Sequence, residues 1–285
     1  MFYYKVIIRQ KETKMETTKT NLNKVWISFA IYLIGYFAIM IIFKNQSLAW
    51  LELEAFSLIV SIAMLKKHHF SGRKGIIISV IVTILYVISK ITTFNVFAII
   101  QTLVVFLAAS ACCSVFEKYS ENALIWIRND KKISIVISIL IGIAAGIGMG
   151  FINCLLMKGS NQRVEADYLN AFINSLNPAT MEEIALRSVF YAFCLDAVGG
   201  SFTNRTQKFT SWFMMIVPHI IPHIMFDPSN LIEGIIQWFI ILILYILIFG
   251  LVFAILQRKR DITSAMIVHG ITDFIRFVLF GIPGV

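Results

Sequence analysis

Met181-Glu182-Glu183-Ile184-Ala185-Leu186-Arg187 sets three charges within six residues, directly ahead of the apolar run Val189-Phe190-Tyr191-Ala192-Phe193-Cys194-Leu195. A charge at bilayer depth costs roughly 2.5 to 3.5 kcal/mol on insertion scales, so it is retained where it has a partner and a task. On an α-helix Glu183 and Arg187 stand four apart, about 40° around the axis, and can pair. Glu182 points about 140° away from Arg187 and is left available. The stretch therefore reads as one carboxylate held and one free.

The rest of the chain supplies the membrane. Of 285 residues 58% are hydrophobic and 14% charged, and the apolar runs are continuous rather than alternating. That composition predicts an all-α, polytopic transmembrane helical bundle of about eight to nine spans and excludes a barrel of alternating strands. The lipid bilayer is its first partner. A net charge of +9 raises nucleic acid as another, but the basic residues fall in short loops between apolar runs. This is the positive-inside pattern; it excludes nucleic acid and predicts a multi-pass protein of the cell membrane with a cytoplasmic N-terminus. Cys112, Cys113, Cys154 and Cys194 lie in apolar runs without a CxxC and read as small buried hydrophobes.

Residues 1–24 form a basic cytoplasmic tail in which Met1 and Met15 are alternative starts. N-terminal transmembrane helices occupy 25–157: spans at 25–43 and about 50–65, two more within 75–116 divided near 90–95, and one at 133–157. Glu52 and Glu54, beside Trp50, read as interfacial. His68 and His69 are consecutive and would not share a helical face, so no metal site is expected there. Gly142, Gly146 and Gly150 recur every four residues, a face on which helices approach closely. Residues 158–285 form a second transmembrane region, the expected core of the polar site. It starts with a polar connection through Asn177-Pro178-Ala179-Thr180, where Thr180 and Glu183 fit a capping box that opens a helix. Further spans are expected at about 209–226, 233–256 and 262–282.

Two of these spans carry more ionisable groups. Val217-Pro218-His219-Ile220-Ile221-Pro222-His223 offers two histidines four apart, and His269-Gly270-Ile271-Thr272-Asp273 offers a histidine and a carboxylate at the same spacing. Three helices each presenting Glu or His must satisfy them inside the membrane, and one shared site is the economical solution. A desolvated carboxylate beside a histidine can take a proton from water and make a nucleophile. A second histidine can meet the developing oxyanion. No GxSxG or HExxH occurs, so a bound water is the expected nucleophile. Glu182, His219 and His269 could also ligate zinc, and spacing alone leaves metal-free and zinc-assisted hydrolysis both open.

The order Glu182-Glu183-x-x-x-Arg187, then a histidine in a later span, then His269-x-x-x-Asp273 resembles the CPBP family. That family holds CAAX prenyl proteases of the Rce type and Abi proteins of bacteriocin processing and self-immunity. The likeness covers roughly residues 178–280, with Ser211 and His219 at the usual spacing for the second motif and His223 as the alternative histidine. Met215 stands where the family usually has Phe, and Leu186 and Ser188 flank Arg187 in place of Phe and Gly.

The resemblance implies an intramembrane endopeptidase without a metal cofactor. By position Glu182 would activate water with His219, His269 and Asp273 would face the carbonyl oxygen, and Glu183 and Arg187 would orient the site. Asp273 stands where Asn is common; as a carboxylate it donates nothing, so that role requires a neutral acid. The expected substrate is a hydrophobic, prenylated or leader peptide, in peptide maturation, bacteriocin self-immunity or signalling. The rival readings are a non-catalytic membrane scaffold or immunity protein of the same fold, and an ion-coupled transporter.

Overall fold

The computed structural model describes residues 2–93, 95–129, 131–157 and 167–282, with side chains from Leu22 onward. The choice between Met1 and Met15, the side chains of most of the basic tail, and residues 158–166 of the polar connection lie outside the described residues. Among the described residues there are nine helices and no strand: α1 (Phe2–Ile42), α2 (Gln46–His68), α3 (Arg73–Ser89), α4 (Val96–Lys118), α5 (Lys132–Leu156), α6 (168–197), α7 (Arg205–Ile220), α8 (Leu231–Lys259) and α9 (Ile262–Phe280). Each expected span falls on one of them. Six, namely α1, α2, α4, α5, α8 and α9, are long and apolar enough to cross a membrane by length and composition.

Local chemistry sets the helix starts. Asn45, Asn95, Asn204 and Asn230 each accept a backbone N–H three residues on, at the N-termini of α2, α4, α7 and α8. Asp261 does the same for α9. Such a side chain replaces one of the partners that the first turn lacks. The outer faces stay apolar: Ile27, Ile31 and Ile34 on α1 and Ile232, Ile236 and Ile243 on α8 all point outward and exposed. Apolar surface on this scale belongs against lipid, which asks no hydrogen bonds of it.

Helix α1 runs without a break from Phe2, so the basic tail continues the first span as a helix. Three local expectations need correction. The helix bearing the carboxylates starts at Tyr168, not at Thr180, and its cap is Asp167, which accepts from Asn170 N–H. Thr180 instead donates its hydroxyl to the Leu176 carbonyl at 2.6 Å inside the helix, so there is no capping box. Helix α7 stops at Ile220, and a single 3-10 turn, Ile221–His223, follows it. Finally, Glu52 and Glu54, read as interfacial, pack against other helices. Glu54 is buried and accepts from Gln101 Nε2 at 2.6 Å, and the Glu52 carboxylate packs on Gly35 of α1.

The helices of 25–157 and 158–285 share one bundle, with α5 along α9 and both α2 and α4 against α6. The α5–α9 contact depends on the glycine face. A Cβ on Gly146 would stand 2.7 Å from Ile271 Cβ and 3.1 Å from the Val268 carbonyl, whereas Gly148, two residues on, faces open space. A backbone atom in that contact cannot rotate away. Gly146→Val should therefore lower stability by about 1–3 kcal/mol through overpacking, seen as a lower melting temperature in detergent, while Gly148→Val leaves it unchanged. Equal melting of the two variants would contradict this packing.

Candidate active site

From Pro178 to Ser188 helix α6 is wound as a π-helix. Proline brings no N–H and its ring presses on the turn before it, so the ordinary ladder breaks there. Bonds to the fifth residue back take over: Val189 N–H donates to the Ile184 carbonyl, and the Ser188 hydroxyl donates to the Glu183 carbonyl at 2.8 Å. With this winding, residues five apart come onto a common face. Glu182 and Arg187, about 140° apart on an α-helix, thereby reach the same imidazole.

Arg187 is fully buried, as is Glu183. Its Nε donates to Glu183 Oε1 at 3.2 Å, and Nη1 reaches the carbonyls of Met215 on α7 and Gly250 on α8 at 3.4 and 3.2 Å. Nη2 lies 2.9 Å from His219 Nδ1. Gly250 permits this approach, since a Cβ there would meet Ile216 and Ile220 side chains at 2.5 and 2.6 Å. Glu183 is held again by Gln257 Nε2 at 2.7 Å and by His269 Nδ1 at 2.7 Å. Gln257 Oε1 also lies 3.0 Å from the Ser188 hydroxyl oxygen.

The free carboxylate has neighbours of a different kind. Glu182 Oε2 is 2.6 Å from His219 Nε2, 3.6 Å from His269 Nε2 and 3.7 Å from His223 Nε2. His223 stands edge-on to Trp50, ring centroids 4.7 Å apart, and His269 stacks on Phe253 at 4.4 Å. Asp273 Oδ2 is 3.5 Å from His269 Nε2, and its Oδ1 is 3.0 Å from Arg276 Nε. All seven residues singled out in the sequence thus gather in one place. They do so beside a cavity of about 710 Å³ that Glu182, Arg187, His219, His223, His269 and Asp273 all line.

The hydrogen bonds fix one tautomer. A guanidinium only donates, so His219 Nδ1 accepts from Arg187. A neutral His219 then carries its proton on Nε2 and donates it to Glu182. This bears on zinc, for which Glu182, His219 and His269 were the expected ligands. The donor atoms that crowd together are instead those of Glu182, His219 and His223, all within 4.8 Å of one another. A zinc-bound histidine offers one nitrogen's lone pair and donates its other N–H to an acceptor. His219 has a donor at Nδ1 and a proton at Nε2, the reverse of that pattern, and does not fit.

Gln257, Arg276 and Phe253 were not singled out in the sequence, and Trp50 was read only as an interfacial marker. A glutamine and an arginine near helix ends look like ordinary boundary residues, and only the contacts reveal them. Ser211 lies outside the site and accepts from Arg258 Nη1 at 2.9 Å.

Residues 165–275 match the family model described as Type II CAAX prenyl endopeptidase Rce1-like. The match spans α6 through most of α9 and so includes every side chain around Glu182 named above except Trp50 and Arg276. No curated protein and no solved structure matches the chain. Because Arg187 satisfies acceptors on three helices at once, Arg187→Met should cost about 3–5 kcal/mol by stranding Glu183 in a dry interior, measured as loss of thermal stability. A variant that melts like the wild type would show the pair to be structurally idle.

Proposed function

Starting from an Rce1-like domain over residues 165–275, we propose that the protein is a membrane-embedded endopeptidase in which Glu182 activates a water. The observation that carries the reading is the asymmetry of the two neighbouring carboxylates. Glu183 is consumed by Arg187, Gln257 and His269, while Glu182 meets histidines alone and faces the cavity.

The steps follow from these groups. His219 Nε2–H holds Oε2 of Glu182 and leaves Oε1 for a water. As the water oxygen bonds to the carbonyl carbon, its proton passes to Glu182. The negative charge moves to the carbonyl oxygen, which needs a donor aimed at it. His269 supplies one: Glu183 accepts from its Nδ1, and a protonated Nε2 faces the cavity. That proton sits between Glu182 and Asp273, whose carboxylate oxygens lie 3.6 and 3.5 Å from Nε2. Asp273 has Arg276 as its partner, so we assign it to orienting His269 rather than to acting as a neutral acid. Collapse of the intermediate breaks the C–N bond, and Glu182 returns its proton to the leaving amine. His223, which lines the same cavity 3.7 Å from Glu182, contacts the substrate in this reading.

The mechanism needs no metal, in keeping with the His219 tautomer. The cavity wall also carries Phe97, Phe249 and Phe277, which suits a hydrophobic or lipidated peptide. Peptide maturation or self-immunity against a bacteriocin would use the same step.

Glu182→Gln keeps the shape and removes the base. It should lower cleavage about 10²–10⁴-fold without changing the melting temperature. Comparing the peptides from cells carrying each form is the direct assay. Unchanged peptides would favour a scaffold or immunity protein that needs no chemistry, and substrate flux in proteoliposomes without cleavage would favour a transporter. Chelation of the purified protein should leave its rate intact, whereas a rate lost to chelator and restored by zinc would overturn the metal-free assignment.

A further inference from the structure

The bundle has two chemically distinct ends, and among the described residues the loops and helix ends that line the cavity all belong to one of them. The lining comes from the start of α2 (Gln46, Trp50), the α3–α4 turn (Lys90, Asn95) and the end of α7 (His219, His223). Asn153 near the end of α5 and Ile282 beyond α9 line it as well. Following the chain through each helix puts all of these at the end that α1 reaches at Ile42. The connections at the other end are 69–72, 119–131, 198–204 and 260–261. They are tied together by Ile262 N–H to the Ile125 carbonyl at 2.8 Å, Asn122 Nδ2 to the Gly200 carbonyl at 3.1 Å, and Arg128 N–H to Asp261 Oδ2 at 3.0 Å.

Lysine and arginine are divided just as sharply. The end away from the cavity carries the basic tail, Lys66-Lys67 with Arg73-Lys74, Lys131-Lys132, and Arg258-Lys259-Arg260, together with Lys118, Arg128, Arg205 and Lys208. The cavity end has Lys44, Lys90 and Arg276, to which the α5–α6 connection adds Lys158 and Arg163 by sequence. In short loops this asymmetry sets orientation, and the rich side stays in the cytoplasm.

We propose that the cavity opens to the extracytoplasmic side of the membrane, so that its substrate is a polypeptide segment already exposed there, such as an exported peptide or the outer part of a membrane protein. The cavity lining suits this class. Gln46, Asn95, Gln101, Asn153, Asn174 and Asn177 surround it with carboxamides. Each pairs a donor with an acceptor, as the peptide group does. A chain entering from that side passes them before it reaches Glu182. The substrate assignment rests on the peptidase reading; the orientation does not, and the two can fail separately.

Cysteine accessibility in intact cells decides the orientation. Among the native thiols Cys112, Cys113 and Cys194 are buried, so Cys154→Ala gives a quiet background. Into it go Ser47→Cys or Ser229→Cys, exposed at the cavity end, and Ser201→Cys, exposed at the opposite end. A membrane-impermeant maleimide should label the first two before lysis and Ser201→Cys only afterwards. The reverse pattern, or equal labelling of both ends before lysis, overturns the proposal. Labelling needs no catalysis, so an inactive protein still gives an answer. A single-span test peptide displayed at either face then reads the substrate side, with Glu182→Gln as the blank. Glu182-dependent cleavage of the exported form alone supports the assignment, and cleavage of the cytoplasmic form alone overturns it.

Discussion

A guanidinium sealed away from water must find an acceptor for its N–H groups, and Arg187 finds them on α6, α7 and α8 together. Its attraction to Glu183 would not by itself offset the cost of burying both charges. The carbonyls of Met215 and Gly250 and the ring of His219 provide the rest, which makes the position of one side chain a condition on the packing of three helices. Glu183 extends the condition to α9 through His269. The polar centre of this bundle and its architecture are thus one arrangement.

The same network separates two carboxylates that are adjacent in the chain. Glu183 faces donors that fill its capacity and becomes a fixed element of the frame. Glu182 faces rings that can hold or exchange a proton and stays open to the cavity. The π-wound segment makes the difference possible, since it turns Glu182 and Arg187 toward the two nitrogens of a single imidazole. Pro218 and Pro222 bracket the end of the facing helix, where α7 gives way to a 3-10 turn. The carbonyls near them are taken up from outside α7, Pro218 by the Tyr32 hydroxyl at 3.0 Å and Pro222 by Gln46 Nε2 at 2.8 Å. Helices α1 and α2, which contribute none of the ionisable groups around Glu182, hold the histidine-bearing end of α7 in place.

The fold and most of the site were legible in the sequence because each follows from a local rule. Continuous apolar runs require helices in lipid, and ionisable groups inside such runs require one another. Hence the nine helices among the described residues fall where the runs are; Glu182, Arg187, His219, His223, His269 and Asp273 line one cavity, and Glu183 stands behind them on Arg187 and His269. The Rce1-like match at 165–275 agrees with the motif order that pointed to the CPBP family.

What the sequence misplaced depended on register and contact. Proline after asparagine resembles a helix start, yet here it marks the change of winding inside a helix already under way, because Asp167 had capped it about three turns before Pro178. Gln257 and Arg276 have no local signature, and their importance comes from what faces them across the bundle. The tautomer of His219 is likewise set by a neighbour 32 positions away. The sequence by itself determined that this chain is a membrane bundle carrying a cluster of acids and histidines, since burial energetics act on residue type alone. Only the tertiary structure decided that Gln257 and His269 join Arg187 in holding Glu183, and that Glu182 and Arg187 meet at one imidazole, because that depends on the direction in which each donor points.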